Sequence, residues 1–251
     1  MRILDLFCGA GGASKGYAEA GFEVIGVDHK AQQNYPYEFI KMDAFRAMKW
    51  LNLGLFDAIH ASPPCQYHST MRYRNEDRPA GGHEIRLIRA EIARSGLPYV
   101  IENVTGAKDE LELPTMLCGS MFGLDVRRHR LFETNFTLVQ PECQHEWQVP
   151  RFPNPDPRGK KRLVGVVNVY GACTYPGERE DRERAMGIDW MSNVELTQAI
   201  PPAYTRFVGE ALARHLWGLE PAPRLNLGPE IAALEPRSIF ENLPDIRLGA
   251  R

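Results

Sequence analysis

A chain of 251 residues with 43% hydrophobic and 25% charged residues can bury a sizeable core, as one large domain or as one domain with a small insertion. It holds no apolar run near the roughly 20 residues that span a bilayer and opens without the basic and apolar regions of a signal peptide, so a cytoplasmic protein is expected. A formal net charge of −2 gives no global electrostatic case for nucleic acid, and five widely spaced cysteines without a CxxC pair argue against a disulfide framework.

Arg2-Ile-Leu-Asp-Leu-Phe7 reads as a first buried strand, and Cys8-Gly9-Ala-Gly11-Gly12-Ala-Ser14 as a glycine turn opening a helix from Lys15 to Ala20. Glycines let a ligand approach the backbone closely, and a helix N-terminus offers free N–H groups. Glu23 to Asp28 is a second strand, ending in an acid able to accept hydrogen bonds from ribose hydroxyls. The GxGxxG dinucleotide fingerprint is incomplete, since position 14 is Ser14. A third strand around Tyr37 to Lys41 ends at Met42-Asp43, a carboxylate placed to reach an adenine amino group or to cap the next helix.

The apolar run Phe56-Asp-Ala-Ile-His60 predicts a fourth strand, and Pro63-Pro64 ends it sharply because proline cannot donate to a ladder. Cys65 then stands at a strand's carboxyl end, where open α/β sheets bind their ligands. The stretch from His68 to Gly82 is long, polar and basic, and reads as a flap over that cysteine. A helix follows from about His83 to Ser95, with Ile85, Ile88 and Ile92 near helical spacing. Pro98 to Val104 is the next strand and carries Glu102 and Asn103 at its end. Farther on, Arg128-x-Arg130 at a strand start sends both guanidiniums to one face, an arrangement that calls for an anion or a base edge between them.

From about Asn135 to Asp181 the composition changes to a proline-interrupted stretch with the basic cluster Arg158-Gly-Lys160-Lys161-Arg162 and a strand from Leu163 to Val169. Residues 136–181 are therefore predicted to be a small loop-rich module suited to phosphate contact. Cys143-Gln-His145 has too few companions at metal-ligand spacing, so no metal is expected. The main domain (1–135) resumes over 182–217, where a helix opens around Glu195 to Tyr204 and continues to about Trp217 with Pro202 near its first turn. Residues 218–251 read as an extended tail.

The glycine turn, Pro63-Pro64-Cys65-Gln66, Glu102-Asn103-Val104 and Arg128-x-Arg130, in that order, resemble the motifs of the DNA (cytosine-5) methyltransferase family. The resemblance covers roughly two-thirds of the chain, and its force lies in the ordered set, since each motif is weak alone. It implies a doubly wound, Rossmann-like α/β methyltransferase sheet with an inserted target-recognition module, S-adenosylmethionine as cofactor, and duplex DNA as partner of a monomer or of a chain helped by a second protein. By resemblance Cys65 is the nucleophile that adds to cytosine C6, Glu102 binds the Watson–Crick edge, and Arg130 binds O2 with Arg128 in support. Phe7, Gly9, Gly11, Gly12, Asp28, His29, Asp43, Pro64 and Gln198 would hold the cofactor. Ser62, Pro63, Gln66, Asn103, Arg158, Lys160 and Lys161 would contact the substrate.

Three positions depart from the family pattern: Val126 stands where a Gln usually precedes the arginine pair, Gln198 where an Asn precedes the last Pro-Pro, and His29 where an aromatic follows the second-strand acid. Two other readings stay open on the sequence. One is an RNA cytosine-5 methyltransferase acting on transfer RNA; the other is a catalytically silent binding module on the same cofactor fold.

Overall fold

A computed structural model describes residues 1–64, 83–146, 148, 166, 167, 169, 179–219 and 221. Their centre is a seven-stranded sheet of β1 (Arg2–Leu6), β2 (Glu23–Asp28), β3 (Glu38–Lys41), β4 (Ala58–Ala61), β5 (Tyr99–Val104), β6 (Thr115–Leu117) and β7 (Arg130–Thr134). The spatial order is β3-β2-β1-β4-β5-β7-β6. The first five strands run parallel, and β7 enters antiparallel to both β5 and β6. The chain moves outward from β1 to β3 and then crosses back to β4. The crevice beyond the carboxyl ends of β1 and β4 is thus the topological switch point, the usual ligand position in such sheets.

Period-two alternation splits the core into two layers. Ile3, Val24, Ala58, Val100 and Phe132 face α1 (Gly12–Glu19) and α6 (Pro202–Leu216), which supply Tyr17, Tyr204, Val208 and Leu212. Leu4, Leu6, Ile25, Val27, Ile59 and Ile101 face α2 (Ala44–Trp50) and α3 (Glu84–Ser95), the latter through Ile85, Ile88 and Ile92. A third cluster packs Ala10 of the glycine turn against Val126 and Val169, and against Met186 of α4 (Arg179–Met186) and Leu196 of α5 (Asn193–Gln198).

One expected helix is two. The segment predicted as a single helix to Trp217 opens as α5, held by a capping box between Ser192 and Glu195, and stops at Ala199 in extended backbone. It restarts as α6 with Pro202 in its first turn, because the ring of Pro202 suits a helix start and not an interior. Most of the predicted module lies outside the described residues, as do the flap and nearly all of the tail; of the strand expected from Leu163 to Val169, the described residues Val166, Val167 and Val169 belong to no strand. Among the described residues no helix is long and apolar enough to cross a membrane.

Candidate active site

The glycine turn begins with strain. Phe7 has φ 60, a left-handed conformation that a bulky residue rarely adopts, and its ring packs edge-on against Phe45 of α2. Gly9 follows at φ 49, and a side chain added there would point into open space. Gly11, also left-handed, is the N-cap of α1. Gly12 is required for another reason: a Cβ there would lie 2.6 Å from the Ile200 carbonyl, so the link between α5 and α6 presses directly on this turn.

Asp28, at the end of β2, accepts from the backbone N–H of Gly9 (3.2 Å) and of Lys30 (2.9 Å). It ties the second strand end to the turn. His29 is exposed with Nδ1 3.3 Å from the Asp28 carboxylate. Asp43 caps α2, accepting from Arg46 N–H at 3.0 Å. Gln198 is an exposed residue at the end of α5. Beneath the turn, Asp5 of β1 is fully buried and accepts a short hydrogen bond from the Ser14 hydroxyl. Burial, opposed by Ser14 and reinforced by Asp28 and Glu102, pushes the Asp5 carboxyl up to about 7. Its Oδ1 has no hydrogen-bond partner among the described residues.

The second half of the site is built at the carboxyl ends of β4 and β5. Glu102 is buried, and Arg130 Nε lies 3.1 Å from its Oε1. The antiparallel entry of β7 makes this pair possible: Arg130 stands opposite Val104 at the start of β7, whereas a parallel strand would begin at the other edge of the sheet. Burial raises the Glu102 carboxyl above its ordinary value, while Arg130, the Ser62 hydroxyl and Arg128 work against that rise. Asn103 donates to the Pro63 carbonyl at 2.9 Å and accepts from Val104 N–H. It thereby staples the Pro63-Pro64 turn to β5.

A hydrogen-bonded row runs behind Glu102. Tyr17 Oη is 2.9 Å from His60 Nδ1, and His60 Nε2 is 2.8 Å from Ser62 Oγ. Burial lowers His60 to about 3, so its ring is neutral. Since Ser62 donates to the Glu102 carboxylate, it accepts from His60 Nε2–H, and Nδ1 accepts from Tyr17. Sequence reasoning did not assign Tyr17 or His60 to the site. The one available signal was a histidine within an otherwise apolar strand, two residues before Ser62.

The strand periodicity expected for the arginine pair reaches only Arg130. β7 starts at Arg130, so Arg128 lies outside the ladder and the two-residue alternation does not govern it. Its guanidinium donates to the carbonyls of Val169 and Thr197, and its own carbonyl accepts from Tyr204 Oη at 2.6 Å. Cys65, Gln66, Arg158, Lys160 and Lys161 lie outside the described residues; Pro64 is the last described residue before Cys65.

The expectation that Cys143 and His145 lack metal-ligand companions does not hold in space. Cys118 and His129 join them, and the four ligand atoms lie within 4.8 Å of one another. Local spacing could not show this, because the four come from three separate stretches of chain.

Residues 1–116 match the family described as C-5 cytosine-specific DNA methylase. A Frog virus 3 (isolate Goorha) protein described as a DNA (cytosine-5)-methyltransferase is 34% identical over 101 residues, covering 40% of this chain and 44% of that protein. Type II methyltransferase M.AgeI of Thalassovita gelatinovora is 30% identical over 121 residues, covering 42% of this chain and 28% of the relative. The chain thus spans less than half the length of these relatives. A crystal structure of an E. coli prophage protein described as a DNA modification methyltransferase aligns with TM-score 0.58 at 14% identity, over 87% of this chain and 99% of that one. That likeness concerns the fold alone.

Proposed function

We propose that this chain, whose residues 1–116 match the C-5 cytosine-specific DNA methylase family, methylates C5 of a cytosine turned out of duplex DNA. The observation that carries the reading is the buried Glu102–Arg130 pair at the carboxyl edge of β5, next to the Pro63-Pro64 turn that leads into Cys65. A neutral-leaning acid beside a fixed cation is a recognition pair for the N3, amino and O2 edge of a pyrimidine. A target base inside a duplex could not reach it without flipping.

The residues beside the switch point fit S-adenosylmethionine. Buried Asp5 Oδ1, which has no hydrogen-bond partner among the described residues, offers an acceptor for an ammonium group, and the open side of Gly9 leaves room beside the backbone. Phe7, Gly9, Gly11, Gly12 and Asp28 would hold the cofactor, with His29, Asp43, Pro64 and Gln198 around them. When bound it supplies an electrophilic methyl group. Cytosine C5 is a poor nucleophile, so Cys65 as thiolate adds to C6 and makes the ring electron-rich. Glu102 holds a proton at N3 against the charge pushed there, Arg130 holds O2, and Arg128 fixes the backbone from which Arg130 projects. After methyl transfer a base removes the C5 proton, and β-elimination releases the Cys65 thiolate. Ser62 and Asn103 act as positioning residues, one on Glu102 and one on the cysteine turn. Gln66, Arg158, Lys160 and Lys161 are proposed DNA contacts.

Duplex DNA containing 5-fluorocytosine tests the covalent step, since fluorine at C5 blocks the elimination. With S-adenosylmethionine present, the wild-type chain should form an adduct that survives denaturing electrophoresis, and Cys65→Ser should form none. An adduct of equal yield in Cys65→Ser would remove Cys65 from the mechanism.

A further inference from the structure

We propose that Cys118, His129, Cys143 and His145 form a structural zinc site, separate from the methyl-transfer chemistry. Cys118 follows β6, His129 lies between the two motif arginines just before β7, and Cys143 and His145 lie at the start of the predicted recognition module. Two sulfurs and two ring nitrogens from these three stretches converge within 4.8 Å.

The distances suit an ion at the centre. His145 Nε2 is 3.3 Å from Cys118 Sγ and 3.1 Å from Cys143 Sγ, and His129 Nε2 is 3.6 Å from Cys143 Sγ. Zinc bonds of about 2.3 Å to sulfur and about 2.0 Å to nitrogen give tetrahedral edges of roughly 3.3–3.8 Å. Hydrogen bonding alone accounts less well for the arrangement. A ring nitrogen carries one in-plane proton or one lone pair, so His145 Nε2 cannot make well-directed bonds to both sulfurs at once. One cation shared by the four atoms accounts for these three close contacts together. The imidazoles are tilted 54° to one another rather than stacked, which lets both present Nε2 to the same point. Ser120 Oγ lies 3.4 Å from Cys143 Sγ, where its hydroxyl can donate to a ligating thiolate.

The donor set narrows the metal and its role. Two thiolates and two imidazoles in tetrahedral array favour zinc among common divalent ions, and four protein ligands leave no open position for substrate or water. The site would act as a clip. Arg127, two residues before His129, donates to the His145 carbonyl (3.1 Å) and to Gln148 Oε1 (3.0 Å). Buried Gln148 donates in turn to the Leu124 carbonyl at 2.7 Å. The ion would join the strand entry that carries Arg128 and Arg130 to the first residues of the module, fixing where the module leaves the sheet.

Metal analysis of the full chain, purified from zinc-supplemented culture with any affinity tag removed, reads this without reference to activity. About one zinc ion per chain should persist through gel filtration, and Cys143→Ser should bring it to background. Because that variant could fail to fold, cobalt(II) loaded into chelator-treated wild-type protein supplies a second readout. Intense visible bands of tetrahedral cobalt with thiolate charge transfer are expected, and His145→Cys should keep the ion and strengthen the charge-transfer absorption. Wild-type protein that retains no zinc and gives only the weak spectrum of aqueous cobalt would overturn the proposal. So would intact-mass evidence of a Cys118–Cys143 disulfide in the freshly purified chain.

Discussion

At the scale of the residue, the site depends on polar groups buried where charge is expensive. Asp5 and His60 face the same layer of the core and respond to pH in opposite senses. Folded Asp5 keeps its proton to about pH 7 against an ordinary value of 3.8, so between those values the folded state binds more protons and stability falls as pH rises. Its penalty is complete above about pH 7. Folded His60 stays neutral down to about 3 against an ordinary 6.5, so the stability it contributes is present above 6.5 and drains away as pH falls toward 3. Asp5→Asn should therefore gain on wild type by up to roughly 4 kcal/mol between about pH 4 and pH 8, measured by urea unfolding of the cofactor-free chain. A difference between the two proteins that stays constant over that range would mean that Asp5 is charged in the fold and has a partner. The sequence made Glu102, Arg130 and the proline turn legible because their chemistry is written in adjacent residues. Tyr17 and His60 were not, since a support that reaches Glu102 from α1 through β4 leaves no local pattern.

At the scale of the element, α1 and α6 are held at a separation set by missing side chains. A Cβ on Gly16 of α1 would come within 2.1 Å of Thr205 Oγ1 and 2.2 Å of the Pro202 carbonyl, while Thr205 Oγ1 donates to the Ala13 carbonyl at 2.8 Å. Helix propensity alone would make Gly16→Ala favourable by about 1 kcal/mol. The rigid backbone of α6 reverses the sign, and we expect Gly16→Ala to cost about 1–3 kcal/mol, read as a lower urea midpoint at unchanged slope. An unchanged or raised midpoint would show that the two helices can separate freely. The bounds of β1, β2 and β5 and the isoleucine spacing of α3 were readable from the sequence to within a residue. The division of the last helical segment was not, because Pro202 is compatible both with the first turn of a helix already begun and with a new start. The antiparallel entry of β7 was equally hidden: strand direction is a property of pairing, and β6 is too short to announce itself.

At the scale of the molecule, the sheet reversal and the α5–α6 link converge on one edge. β7 delivers Arg130 to the carboxyl end of β5, and Ile200 presses on Gly12 of the turn. The residues proposed for the cofactor and for the base are thereby set by a single sheet, and Asp5 senses both Asp28 and Glu102. On the proposed reading, this placement would hold the reacting partners in position, a recognised source of rate. We propose that this edge methylates cytosine in DNA through Cys65. The most direct measurement incubates the purified chain with labelled S-adenosylmethionine and mixed-sequence duplex DNA, then analyses the nucleosides by mass spectrometry. Labelled 5-methylcytosine should appear in DNA from the wild-type reaction and be absent with Cys65→Ser. Label found in transfer RNA but not DNA, or in neither, would contradict the account.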